Sequence, residues 1–142
     1  MMKYWRSLVI EDDSGVRTLF REVLKSRDHE VIMFSAIEES PLLHKHRCGC
    51  DHTCRCADFI ILDLYMDDLY GLHWREHQYK EKCRVPNVAM MSASWTKAEK
   101  QKAHELGCVV FDKPFEVRNL NSWLEKGENN ITENIEHAQW FL

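Results

Sequence analysis

Apolar and polar positions alternate along this chain in two registers. Short apolar runs recur, and most are followed by a stretch with a helical period. The first run, "SLVI" (Ser7 to Ile10), stops abruptly at "EDD". Val16, Leu19, Phe20, Val23 and Leu24 then fall at i, i+3, i+4, i+7 and i+8, one apolar stripe of a helix that Asp13 or Ser14 can cap. "HEVIMF" (His29 to Phe34) predicts a second strand, and a short helical attempt, "AIEESPLL", is interrupted by Pro41. "DFIILDLY" (Asp58 to Tyr65) is a continuous apolar run closed by Asp63, as suits a strand buried on both faces. "GLHWREHQYKEK" predicts a helix, "NVAMMSAS" a fourth strand, and "TKAEKQKAHELG" a helix opened by a Thr96–Glu99 capping box and closed at Gly107. "CVVFDKPF" predicts a fifth strand, and "EVRNLNSWLEKG" a helix with Val117, Leu120, Trp123 and Leu124 on one face. In the last residues, Ile131, Ile135, Ala138 and Leu142 make a narrow helical stripe, and the end "AQWFL" is expected to pack on the domain.

Five β-α units in succession predict an α/β domain with a parallel sheet and right-handed crossovers. A length of 142 residues suits one domain. The net charge of −4 argues against nonspecific nucleic-acid binding, which needs a basic face. Neither a signal peptide nor a membrane span is legible, so a cytoplasmic location is expected.

In such sheets ligands sit at the carboxyl ends of the strands. The residues to read there are Glu11, Asp12 and Asp13 after the first strand, Asp63 at the third, Ser92 at the fourth and Lys113 after the fifth. Close carboxylates cannot all stay ionised without a cation. An all-oxygen set suits Mg²⁺, which accepts phosphate oxygens and neutralises charge on a transferring phosphoryl group. A carboxylate can itself be the nucleophile. Singly, each residue is equally well a helix cap or a turn residue; it is their order at the strand ends that speaks for chemistry.

These motifs, "VIEDDSGVR", "IILDLYMDDLYGL", "MMSAS" and "DKPF", resemble the receiver domain of bacterial two-component response regulators, over about Ser7 to Lys126. The resemblance implies a flavodoxin-like (βα)5 doubly wound fold with five parallel strands in the order 2-1-3-4-5. It implies that Glu11 and Asp12 hold Mg²⁺, with Arg17 fixing which acidic pair it is. It makes Asp63 the phosphoacceptor, Tyr65 a backbone-carbonyl ligand of the metal, Ser92 and Lys113 the phosphoryl-contacting switch, and Lys113-Pro114 a cis peptide. The expected function is that of a stand-alone receiver, a phosphorylation switch for protein partners or a relay, and no enzyme beyond its own phosphotransfer and dephosphorylation. The expected partners are a histidine kinase or phosphotransfer protein and a downstream protein, with neither nucleic acid nor membrane. Three positions depart from the family pattern: Asp67 stands at a usual proline, Tyr70 at a usual aspartate, and Val110 at the usual switch aromatic, in a segment one residue short. Trp95 is a candidate substitute for that aromatic. A flavin binder of this fold would need a hydroxyl- and glycine-rich loop where "EDDSGVR" stands, and a haloacid-dehalogenase-like phosphatase would need an aspartate where Tyr65 stands.

The most unusual composition is "HRCGCDHTCRC", with Cys48, Cys50, Cys54 and Cys56 in nine residues. Against the family it is an insertion, within residues 44–57, before the third strand and thus at the amino end of the sheet. Four thiolates can close a Zn²⁺ site, with His44, His46 or His52 replacing one, and the soft set also suits Cu⁺ or an iron–sulfur cluster. Disulfides and plain thiols are the alternatives. The rival function for the chain is a metal- or redox-sensing receiver with this loop as input. Cys83 and Cys108 are expected to be plain helix and strand residues. The domain is expected to span residues 1–126, followed by a tail, 127–142, that is helical or irregular.

Overall fold

The computed structural model describes residues 5–35, 50, 54–66, 69–81, 83–131 and 136–137. The main strands are β1 (Trp5–Ile10), β2 (His29–Phe34), β3 (Phe59–Asp63), β4 (Asn87–Ser92) and β5 (Cys108–Asp112). Between and after them run α1 (Ser14–Ser26), α2 (Gly71–Lys80), α3 (Lys97–Glu105) and α4 (Val117–Asn130). The strands form one parallel sheet in the order β2-β1-β3-β4-β5, as the resemblance implied. The attempted helix "AIEESPLL" falls outside the described residues.

Side chains alternate across the strands, so the sheet feeds two cores. On one face Leu8, Ile10, Ile60, Leu62, Val88 and Met90 pack with Leu72 and Trp74 of α2 and Ala103 of α3. On the other, Val9, Phe59 and Ile61 pack with Phe20 and Leu24 of α1 and Leu120 and Leu124 of α4. β3 is buried along its whole length, which explains its unbroken apolar sequence. Each fully buried side chain of this size contributes about 1.5–3 kcal/mol by leaving water. Asp13 caps α1 by accepting from the Val16 amide, and both halves of the Thr96–Glu99 capping box form. Gly107 closes α3 at φ +74°, a left-handed conformation that favours glycine.

The last helix runs past Lys126 to Asn130, and beyond it Glu136–His137 is a short strand rather than part of the helical stripe. Those two residues pair in parallel with Cys54–Arg55, and the His137 ring meets Asp58 at 2.7 Å. A backbone partner and a buried carboxylate outweigh a weak apolar stripe there. Val117 is exposed, because it opens the helix ahead of the turns that reach the core. The "AQWFL" end lies outside the described residues.

The amino end of the sheet is tied by polar pairs. Asp58 accepts from the Arg6 amide at 2.8 Å and from the Arg55 guanidinium at 2.8 Å. Glu128 of α4 accepts from Arg27 at 2.6 Å and from His29 at 2.7 Å. With Nε2–H donating to Glu128, the neutral ring leaves Nδ1 to accept from the buried Ser7 hydroxyl at 2.6 Å.

Candidate functional site

At the opposite, carboxyl edge the strands deliver the chemistry. β1 ends one residue before Glu11, which is buried. Asp12 follows in the turn and is exposed. The Arg17 guanidinium, one turn into α1, donates to the backbone carbonyls of Glu11 and Asp12, each at 2.8 Å, and so fixes this turn. Asp63 closes β3 and Ser92 closes β4, both buried. Lys113 follows β5, where its amide donates to the Ser92 carbonyl at 2.9 Å, and the Lys113-Pro114 peptide is cis.

Carboxylate oxygens of Glu11, Asp12 and Asp63 lie within 4.8 Å of one another. Lys113 Nζ donates to Asp63 Oδ2 at 2.7 Å and to Glu11 Oε2 at 2.9 Å. Burial, with the Asp63 charge adding to it, raises the Glu11 carboxyl to about 7 against the pull of Lys113 and the Asp13 amide. Burial works against the Lys113 ammonium, but its hydrogen bonds to Asp63 and Glu11 outweigh it and the net shift is upward. A donor set of hard oxygens, short of positive charge, fits Mg²⁺. Asp63 Oδ1 also accepts from the Tyr65 amide at 3.3 Å.

Gly71 shows why the loop after Asp63 needs its glycine. A Cβ there would stand 2.8 Å from the Asp63 carbonyl oxygen, in the backbone of the site itself. Its amide donates to the Leu64 carbonyl at 2.7 Å, and Tyr65–Met66 pairs antiparallel with Leu69–Tyr70 to make the loop a small hairpin.

A family model described as "Response regulator receiver domain" matches residues 8–125. The chain belongs to the response regulator receiver family. No curated protein matches it. Among solved structures, the Vibrio cholerae chemotaxis protein CheY4 aligns with a TM-score of 0.68 at 17% identity, covering 87% of this chain and 98% of that one. A CheY-like receiver domain protein from Methanospirillum hungatei gives 0.70 at 18% identity, covering 89% and 96%. The BeF3-activated DrrB receiver domain gives 0.71 at 19% identity, covering 89% and 99%.

Within this receiver, Glu11, Asp12, Asp63 and Lys113 meet as one cluster. Ser92 stands on the neighbouring strand, its Oγ accepting from the Ser94 amide at 3.1 Å. Two contacts were missed by sequence reasoning. The Tyr65 phenol donates to Glu99, whose other oxygen caps α3 by accepting from the Thr96 amide at 2.9 Å. The Trp95 indole donates to the Phe111 carbonyl at 2.9 Å and packs, as Val110 does, against the core under α2 and α3. The β4–α3 loop thus supplies an aromatic ring to the same core that Val110 packs against.

Of the cysteines, Cys48 and the Cys54 side chain lie outside the described residues, as do His44, His46 and His52. Cys50 and Cys56 meet before β3. Cys108 is the buried strand residue expected. Cys83 is not a plain helix residue: it follows the end of α2, and its Sγ joins those of Cys50 and Cys56. The crossover explains this, since a helix running back from the carboxyl edge returns the chain to the amino end.

Proposed function

We propose that this receiver is a phosphorylation switch, with Asp63 as phosphoacceptor and a histidine kinase or phosphotransfer protein as donor. The observation that carries this is the Asp63 carboxylate held by Lys113 at 2.7 Å inside a cluster of three carboxylates at the carboxyl edge. Glu11, Asp12, Asp63 and the Tyr65 backbone carbonyl would hold Mg²⁺, which would supply positive charge for the transferring phosphoryl oxygens.

In the transfer an Asp63 carboxylate oxygen attacks phosphorus, and the bond from phosphorus to the donor's imidazole nitrogen breaks. The imidazole leaves with the electron pair and takes up a proton, and Asp63 keeps the phosphoryl group as an acyl phosphate. Lys113 leaves its ion pair with Glu11 and Asp63 to meet a phosphoryl oxygen, and the Ser92 hydroxyl turns from the Ser94 amide to another. Because the Lys113 amide is bonded to the Ser92 carbonyl, both strand ends move as one. New contacts made only in the phosphorylated form shift the population of the β4–β5 face, which protein partners read. Such a chain catalyses no reaction beyond its own phosphotransfer and dephosphorylation, and its place is the cytoplasm, beside its kinase. Among the described residues no helix is long and apolar enough to cross a membrane.

Radiolabelled phosphodonor with Mg²⁺ tests the reading. Labelling should be lost on base treatment, abolished by EDTA and abolished in Asp63→Asn. Undiminished labelling of that variant sinks the assignment. Beryllofluoride, present in the activated DrrB domain, should bind wild type and fail to bind Asp63→Asn.

A further inference from the structure

We infer that Cys50, Cys56 and Cys83 form a thiolate site for Zn²⁺ that clips the segment entering β3 to the chain leaving α2. Their three Sγ atoms lie within 4.8 Å of one another. Cys50 and Cys56 are 3.7 Å apart, sulfur to sulfur. A tetrahedral zinc with Zn–S bonds of about 2.3 Å holds its sulfurs about 3.8 Å apart. A disulfide needs about 2.05 Å, so these thiols are unbonded, and they already stand at the spacing that a shared metal requires. The Cys56 amide already points its N–H at Cys50 Sγ, at 3.3 Å. Such a donor stabilises a thiolate, the form in which cysteine binds metal. Cys56 is fully buried, while Cys50 and Cys83 are half-buried, so the centre lies just under the surface with a way in for an ion.

The site differs from a loop-confined one in what it joins. Cys50 and Cys56 belong to one short segment, and a metal held by them alone would stiffen only that segment. Cys83 comes from the far side of the α2 crossover, and its amide donates to the Gln78 carbonyl at 3.0 Å, tying it to the end of that helix. Metal at this place therefore anchors the insertion to α2. Zinc is favoured over hard cations because the donors are soft sulfur. Binding displaces a proton from each thiol to solvent, so affinity rises with pH. Three thiolates fill three tetrahedral positions. The fourth, a further side chain or a water, is read from the count of sulfur neighbours by X-ray absorption at the zinc edge.

The site stands apart from the phosphorylation reading, and its test uses no phosphodonor. The full chain is purified under reducing conditions, and zinc is measured by elemental analysis and by competition with a colorimetric chelator. About one zinc per chain is expected. Cys83→Ser should bind at least about tenfold more weakly, and Cys108→Ser should bind as wild type does. Co²⁺ in place of zinc should give a sulfur-to-cobalt charge-transfer band that weakens in Cys83→Ser. A second measurement needs no variant: alkylation of the wild-type chain, mapped by mass spectrometry, should show Cys50, Cys56 and Cys83 protected together by Zn²⁺. Absence of bound metal, a disulfide among these cysteines under the same conditions, or Cys83 alkylated equally fast with and without zinc would overturn the proposal.

Discussion

The two ends of the sheet gather reactive side chains in opposite ways. At the carboxyl edge, Glu11 and Asp12, Asp63 and Lys113 arrive from three strands and meet because parallel strands all end on one side. At the amino end, Cys50, Cys56 and Cys83 arrive from one inserted segment and the exit of one helix. The first group is hard and oxygen-based, the second soft and sulfur-based. Cys56 and Asp63 are separated by little more than the length of β3, roughly 20 Å at the rise of an extended chain. A ligand at either end therefore acts on the other only through the strand and α2. The fold sets where the first cluster must be, while the second depends on an insertion that the fold merely accommodates.

After loss of Asp63 itself, overpacking at two glycines should do the most damage. At Gly71 the new Cβ of Gly71→Ala meets the Asp63 and Leu64 carbonyl oxygens at 2.8 and 3.2 Å. At Gly127 the new Cβ of Gly127→Ala meets Phe59 Cε1 at 2.6 Å and Asn87 Oδ1 at 2.9 Å, near the amino ends of β3 and β4. Both should cost about 1–3 kcal/mol in denaturant unfolding. Only Gly71→Ala should also slow phosphorylation of the remaining folded protein, because its obstacle is the backbone of the acceptor. Equal phosphorylation rates in the two variants would show that the loop yields without moving Asp63.

The pH response of stability sharpens the contrast, because the two ends act with opposite sign. Burial holds the His29 ring below its ordinary value of 6.5, against the support of Glu128. On the acid side of 6.5 the unfolded chain therefore binds a proton that the folded one refuses, and stability falls as pH falls. Glu11 does the reverse. Raised from 4.5 to about 7, it keeps a proton in the folded state that the unfolded state has lost, so stability falls as pH rises across that interval. In EDTA, Glu11→Gln should remove the fall toward neutral pH. Glu128→Gln takes away the carboxylate that supports a charged His29, and should deepen the loss between pH 6.5 and 4.5, above the range in which the lowered Glu128 carboxyl itself takes up a proton. Denaturation midpoints against pH, moving in the same direction in both variants, would contradict this assignment of signs.

What was legible in the sequence follows from the same physics. The order of the strands' polar ends fixes the carboxyl cluster, since each of Glu11, Asp63, Ser92 and Lys113 sits where an apolar run stops. Arg17 was legible only through the family resemblance, and its bonds to the Glu11 and Asp12 carbonyls could not be read from the chain. Cys83 was not, because its contact is made through a crossover and its own surroundings, "KEKCRV", carry no ligand pattern. The topology held the signal: the entry to β3 and the exit of α2 share the amino end. Glu136–His137 escaped because a strand of two residues has no period to read, and its partner Cys54–Arg55 lies in the insertion.

Trp95 should matter least to stability. Its hydrogen bond to the Phe111 carbonyl is worth about 1 kcal/mol, so Trp95→Phe should unfold only slightly earlier than wild type. Its value is as a reporter. If Ser92 and Lys113 are drawn toward a phosphoryl group, the β4–α3 loop that begins at Ser92 moves with them, and the Trp95 indole slides against β5. Mg²⁺ with beryllofluoride should then change tryptophan emission in wild type. In Trp95→Phe most of the change should be lost: Trp5 packs on His29 at the amino end of the sheet, and Trp123, which meets Phe59 and Phe111, and Trp74 of α2 supply only the smaller remainder. An unchanged response in that variant would mean that the signal leaves the carboxyl edge by another route, and the Tyr65–Glu99 contact onto α3 is the one next to break.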